Sequence, residues 1–531
     1  MPKQFLPYHR TGYFSKLICD YLAEDKTTVP FYHRFPGLAN LKAQLTEKQG
    51  TFSTESRNTL VRRLKFQNKD FSISEATQQN IESLSKENTF TITTGHQLNL
   101  FTGPLYFLYK IVSVMNLCEQ LCTAYPEHHF VPVYWMATED HDFEEINYFN
   151  LFGKKVAWER NSSGAVGELS TEGLDGVSKV LRKELGDSAN AKRLISLFSK
   201  AYVDHNNLAD ATHYLGNELF KEHGLVIIDG NDTELKKAFI SYAERELTEN
   251  ISFEKITETT NRLMAAGYEK QVYPREINLF YMIEGSRDRI IEKDGNFYIN
   301  ESDHVFTTDE IKKEVQAHPE RFSPNALLRP LYQELILPNL CYVGGGGELA
   351  YWFQLKDYFE SVKIPFPVLL LRNSVLLIPA NYLEKLNKLK VDISQLFQKQ
   401  HQLQTEFTNQ LSEIEIDLSP QREHLQQQFK DLYELAKKTD ASFLGAVGAQ
   451  EKKQLNGLDR LEKRLLKAQK RKLADQLGRL TVIQEKLFPN QHLQEREMNF
   501  SEFYLEYGND LLSELKLQLV PLSNEFTIIE L

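Results

Sequence analysis

Cysteine is scarce in this 531-residue chain, and Cys19, Cys118, Cys122 and Cys341 stand without CxxC spacing, which excludes a disulfide framework and a zinc ribbon. Long apolar runs are missing as well. No segment reaches the roughly 18 consecutive apolar residues that cross a bilayer, and the opening MPKQFLPYHRTGYFSKLI has no continuous apolar stretch of the signal-peptide kind. The expectation is a cytoplasmic protein, neither exported nor membrane-spanning. An excess of basic charge is absent too: the net charge is -11, so nucleic acid is not the default partner, although a local basic patch remains open. What is present, 41% hydrophobic and 25% charged residues, is ordinary for a globular protein of two to four domains.

The most informative stretch lies between residues 90 and 147. FTITT (90–94) and FVPVYWMA (130–137) are β-branched and aromatic and too short for buried helices, while residues 105–121 between them have helical periodicity. The unit reads β-loop-α-β, and each strand ends in a polar cluster, TTGHQLNLFTGPLY and TEDHDFEEIN. In an open parallel sheet ligands bind beyond the carboxyl ends of the strands, so both clusters are expected at one crevice. GLVIIDGND (224–232), NLCYVGG (339–345) and FPVLLLRN (366–373) are further strand candidates of the same sheet, the last as apolar as a strand buried on both faces. NLFYMIE (278–284), followed by GSRD, fits a hairpin in an insertion. Residues 153–190 show no strong period and residues 250–321 mix helix with hairpin; both read as insertions into the sheet domain, of the kind that form lids.

Several side chains in these clusters suit chemistry. Gly95 follows the first strand, and Gly103-Pro104 opens the next helix, where free N–H groups attract anions. His96, Gln97, Asn99 and Thr102 offer neutral donors for developing charge. Glu139, Asp140 and Asp142, with His141 among them, are crowded carboxylates that a cation, base or substrate ammonium would relieve, with Asp140, His141 and Asp142 as the catalytic candidates, whereas Glu144 and Glu145 fit a solvated helix start better. YVGGGGELAYW lacks a Walker lysine and the GxGxxG opening, so it names no nucleotide class, but Gly345 and Gly346 allow close backbone approach, and Glu348 and Tyr351 stand one turn apart. Arg329 and Arg372 are the candidates to clamp a carboxylate or phosphate, each with a structural ion pair as the competing explanation. No metal ligand set is assigned. Cys118 and Cys122, one turn apart among apolar neighbours, read as core.

Beyond Pro379 the texture changes. Leu386, Leu389, Ile393, Leu396, Leu403, Phe407, Leu411 and Ile414 recur at spacings of three, four or seven, and a second series runs from Leu458 through Leu480 with one slip between Ala468 and Leu473. Two long helices joined through residues 420–448 predict an antiparallel coiled-coil arm. Residues 451–487 carry eleven Lys or Arg against five Asp or Glu, which admits an RNA-gripping arm as an alternative to the wet face of a coiled coil.

TTGHQLNLFTGPLYFLYK, VPVYWMATEDHDFEEIN, REINLFYMIEGSRDRI, FSPNALLRP and YVGGGGELAYWFQLK together resemble the BshC family of bacillithiol-forming cysteine ligases, in the family's order and over most of the chain. The resemblance implies an α/β fold: a Rossmann-like parallel-sheet core related to class I nucleotidyltransferases (residues 1–150, 201–249 and 322–380), two connecting insertions (151–200 and 250–321), an antiparallel α-helical coiled coil that pairs subunits into a homodimer (381–490), and a C-terminal segment packing on the core (491–531). It also implies amide formation between the carboxyl group of cysteine and the amine of glucosaminyl malate. The HxGH and KMSKS signatures of class I synthetases are absent. Because an amine does not displace hydroxide from a carboxylate at useful rates, a phosphoryl donor is required, and ATP with Mg²⁺ is the expectation.

Overall fold

The computed structural model describes residues 3–531 and divides into two compact units, one built from residues up to 376 together with 494–529, the other from 377–493 with 530–531. In sequence, the second is inserted into the first.

The first unit is organised on a five-stranded parallel sheet. Its strands are β1 (Thr89–His96), β2 (His129–Met136), β3 (Val226–Asp229), β4 (Asn339–Gly344) and β5 (Val368–Leu371), in spatial order β5-β4-β1-β2-β3. Helix α1 (Tyr106–Ala124) makes the crossover from β1 to β2, and α2 (Arg329–Ile336) and α3 (Gly346–Phe353) flank β4. Nearly every strand residue is buried because helices cover both faces, so β2, β4 and β5 are largely apolar, while β1 carries buried threonines around Phe90 and Ile92. Phe90, Ile92, Val114, Leu117, Phe130, Leu340, Val343 and Val368 form one cluster with Cys118 and Cys341, each large side chain contributing about 1.5–3 kcal/mol of burial. The polar residues at the amino end of the sheet are satisfied in series: Thr93 donates to Asn339 at 2.9 Å, Asn339 to Glu334 at 2.6 Å, and Glu334 pairs with buried Lys48 at 3.1 Å.

Residues 494–529 are woven back onto this unit. Residues 3–7 pair antiparallel with 525–529, Lys3 opposite Ile529 and Pro7 opposite Glu525, and Asn116 of α1 donates to the carbonyls of Lys516 and Leu519.

The stretch 153–190 has more order than its composition suggests. A helix at Leu174–Leu185 buries Leu174, Val177, Leu181 and Leu185 along one face; glycine at both ends and intervening charges mask that period in the sequence. This insertion reaches the loop after β2, where the N–H groups of Val166 and Gly167 donate to the carbonyls of Asp140 and Thr138 at 2.7 and 2.8 Å. The hairpin expected at 278–284 forms as Leu279–Ile283 paired with Ser286–Lys293 across Gly285, inside a five-stranded antiparallel sheet.

In the second unit the two apolar series meet, helix Gln400–Leu411 packing on Ala441–Lys472 and Ala474–Leu487 with Gln404 donating to Thr481 and Lys470 to Thr405, both at 2.9 Å, and a further helix joins them. The segment 420–448 is no linker: helix Ser419–Ala436 turns at 437–440 into helix Ala441–Lys472, and these two pack antiparallel through Phe429, Ala436 and Val447, with Arg422 bonded to Asp459 and Tyr433 to Glu451. The series Leu386–Ile414 is broken into helix Ala380–Leu389, a 3-10 turn at Ile393–Phe397 and helix Gln400–Leu411, because Lys390 takes a left-handed conformation (φ 55°) and Asp392 caps a new start. A heptad count passes over such breaks. The slip before Leu473 does mark one, where the long helix ends and Ala474–Leu487 begins. No helix among the described residues is long and apolar enough to cross a membrane.

Candidate active site

Strand order places the site. β1 has its sequence successor β2 on one side and β4 on the other, so helices leave in opposite directions and a crevice opens between the carboxyl ends of β1 and β4. A cavity of about 290 Å³ lies there, lined from β1 by Gly95, His96 and Gln97 and from the β4–α3 turn by Gly345, Gly347 and Glu348. That size suits one small substrate or its reacting portion. Gly95 has no room for a side chain, since a Cβ would stand 3.2 Å from the Tyr342 hydroxyl.

Lys110 of α1 reaches into the cavity wall, donating to the Gly95 carbonyl at 2.7 Å and pairing with Glu348 at 2.6 Å. Burial lowers the Lys110 pKa and Glu348 opposes that fall. Glu348 also accepts from Tyr342 at 2.9 Å and from the Gly345 N–H at 2.8 Å, closing the first turn of α3.

Arg372 is not the free clamp expected from its place after β5. Its guanidinium bonds Glu495 at 2.8 Å, the Asn373 carbonyl at 2.9 Å and Ser374 at 3.1 Å, and both partners of the ion pair are buried. Only its Nε lacks a partner. Arg329, at the start of α2, does line the cavity and makes no side-chain hydrogen bond or ion pair among the described residues.

Asp140 faces it. Burial would raise the Asp140 pKa, but Arg329 first and Arg287 next, with a Gln97 amide at 3.2 Å, hold it below the ordinary carboxylate range. Arg287 comes from the second insertion and is itself buried, bonded to Ser323 at 3.0 Å and stacked on Phe280, with burial pushing its pKa down to about 10. His96 is buried and neutral: burial drives its pKa well below 6.5, Lys110 adds to this, and its Nε2 has no protein partner.

The other expected residues lie elsewhere. His141 and Asp142 are outside the cavity lining; the His141 Nδ1 is engaged by Arg287, and Asp142 faces solvent. Glu139 is buried against Lys236. Asn99, Thr102 and Gly103 form a turn with positive φ at Phe101, Thr102 and Gly103, held by Asn499 bonds to the Phe101 and Gly103 carbonyls. At this turn the Leu105 N–H is given to the Met498 carbonyl at 2.8 Å. Gly346 packs against Ile18, and Gly347 lines the cavity in its place. Tyr351 lines it as well.

Lys110, Tyr342, Arg287 and Arg496 went unrecognised in the sequence. Lys110 carried a signal, the one basic residue in a mostly apolar helix. Arg287 and Arg496 carried none, because only tertiary folding brings the first beside Asp140 and the second to the cavity lining. Among the described residues no group of three or more His, Cys, Asp or Glu is placed to hold a metal ion.

One neighbouring carboxyl makes stability depend on pH. Asp229, at the end of β3, accepts from the Thr138 hydroxyl and from the Asn231 N–H at 2.8 Å, and burial raises its pKa from 3.8 to about 6. A value raised on folding means stability that is fully present below pH 4 and lost as pH climbs through about 6. Between pH 5 and 8 this group should cost the protein about 1–2 kcal/mol. Asp229→Asn should remove that slope, read as denaturation midpoints at the two pH values; an unchanged difference from wild type at both would refute it.

Residues 1–373 match the family described as bacillithiol biosynthesis BshC, N-terminal Rossmann-like domain, and residues 375–531 match the C-terminal coiled-coil domain of the same family. Proteins named "Putative cysteine ligase BshC" from Christiangramia forsetii and Flavobacterium johnsoniae are each 54% identical to this chain, covering 100% of it and 99% and 100% of themselves. A relative of the same name from Bacillus cytotoxicus is 26% identical over 90% of this chain and 91% of its own. With both domains matched in order and the likeness running end to end, the chain belongs to the bacillithiol biosynthesis BshC family.

Proposed function

We propose that this protein is a cysteine ligase of bacillithiol biosynthesis, forming an amide between the cysteine carboxyl group and the amine of glucosaminyl malate. Family membership and the full-length relatives named as cysteine ligases support it. The structural observation that carries the reading is the cavity at the β1–β4 switch point, where Asp140 and an unbonded Arg329 face each other. Amide formation needs both an ammonium site and an anion site. A carboxylate held ionised by two guanidiniums suits an amino group, and a free guanidinium suits a carboxylate or phosphate.

ATP is the proposed co-substrate, converting the cysteine carboxyl into an acyl phosphate or acyl adenylate, and Arg329 with the backbone at Gly347 would hold its phosphates. The amine nitrogen then bonds the acyl carbon, the bond between that carbon and the bridging oxygen breaks, phosphate or AMP leaves with the oxygen, and the amine proton leaves to solvent. Asp140, held low, orients the amino group better than it deprotonates it. His96, neutral with an open Nε2, is the cavity group suited to accept a hydrogen bond from substrate. Mg²⁺ would come with the nucleotide. Further proposals are a cytoplasmic location and homodimerisation through the coiled coil, the latter testable by light scattering.

The decisive experiment incubates the purified protein with cysteine and glucosaminyl malate, with and without ATP and Mg²⁺, and follows thiol product and nucleotide by mass spectrometry. A product of the amide's mass that requires ATP is expected, and AMP or ADP identifies the activation. No amide under any condition would end the ligase reading.

A further inference from the structure

Two of the cations on the cavity wall are spent: Lys110 on Glu348 and Arg372 on Glu495. Arg329 is opposed by Asp140. Arg496 alone has no such counterpart; it lines the cavity, is exposed, and makes no hydrogen bond or ion pair among the described residues.

Its backbone is nevertheless fixed. Glu495, the preceding residue, is buried on Arg372 and also accepts the Val375 N–H at 3.0 Å, and Asn499 anchors the chain three residues later. The charge of Arg496 acts on Tyr106 and Lys110, while that of Arg329 acts on Asp140 and Tyr351. Two positive stations thus stand on different walls. The Arg496 station includes a buried donor without a partner, the Nε of Arg372, whose guanidinium lies over the Tyr106 ring.

The ligase reading brings two anionic groups to the cavity, the phosphate of the activated cysteine and the dicarboxylate of the malyl group. The amino sugar must meet an already activated acyl group, so it enters last, and its reader belongs at the exposed rim. We propose that Arg496, with the Arg372 Nε, is a specificity determinant that binds the malyl carboxylates, so that the aglycone and not the sugar ring selects the acceptor. The identity of that aglycone rests on the ligase reading; the anion station does not.

The test measures binding of glucosaminyl malate and of methyl glucosaminide, which has no carboxylate, by calorimetry to wild type, Arg496→Ala and Arg496→Lys, alongside amide formation. Wild type should prefer the malate conjugate. Arg496→Ala should weaken that ligand by about 30-fold and leave methyl glucosaminide and the KM for cysteine within about 2-fold, with Arg496→Lys in between. Undiminished preference in Arg496→Ala, or no preference in wild type, overturns the proposal. Arg496-dependent binding without any amide product would preserve the station and remove the ligase reading; amide formation with unaltered selectivity in Arg496→Ala would do the reverse.

Discussion

Replacing Glu495 by alanine should cost about 3–5 kcal/mol of stability, the largest single effect expected in this protein. The carboxylate has two buried clients, the Arg372 guanidinium at 2.8 Å and the Val375 N–H at 3.0 Å. Truncation leaves a buried cation and a buried donor unpaired together. Most of the loss is that penalty and not the worth of the pair, so the double variant Arg372→Met/Glu495→Leu should recover a large part of it. Glu495→Gln, which keeps an acceptor but loses the charge, should fall between. Urea denaturation followed by tryptophan fluorescence compares all four proteins. A single alanine variant within about 1 kcal/mol of wild type would show that the pair is solvated and the argument wrong.

Asp140→Asn should lower kcat/KM for amide formation by about 100-fold, the expected loss when a charge-assisted contact in a partly dry site becomes neutral. The fold should survive. Because the folded value of Asp140 is depressed, the carboxylate adds stability above the ordinary carboxylate range and loses it as pH falls through the lowered value, so the variant's small deficit at neutral pH should vanish in acid. His141→Ala and Asp142→Asn are the controls: outside the cavity lining, both should retain turnover within about 5-fold, measured by the same product assay. If Asp140→Asn turns over normally while either control is dead, the substrate binds at the outer edge of the loop and not in the cavity.

How much of this was legible depends on whether a residue's signal was local. Strands 90–94, 130–137 and 366–373 announced themselves through short β-branched, aromatic or apolar runs, and the polar ends of β1 and β2 marked a crevice because parallel topology puts strand ends together. Gly95, His96, Gln97 and Asp140 were read from those two ends, Arg329, Gly345, Glu348, Tyr351 and Arg372 from the segments around β4 and β5, and the cavity lining includes them all. Local sequence could not say which were already bonded. Arg372 looks like Arg329 in one dimension; only the arrival of Glu495 makes the first a structural cation and leaves the second open. His141 and Asp142 share a tetrapeptide with Asp140, yet the loop turns so that one side chain enters while the next meets Arg287. In the helical arm the repeat and the meeting of its two series were legible, but the added helix Ser419–Ala436 and the breaks were not, since heptad spacing states which face is apolar and is silent on where a helix stops.

The segment that returns after the helical arm has a consequence for biogenesis. Arg372 waits for a partner 123 positions downstream, Asn116 for carbonyls about 400 downstream, and residue 3 pairs with residue 529. During translation the Rossmann-like portion therefore emerges from the ribosome with the strand at residues 3–7 unpaired and the Arg372 guanidinium still hydrated, and both are satisfied only when the last few dozen residues have left the exit tunnel. Such long sequence separations slow folding, since chain entropy is surrendered before the contacts that repay it can form.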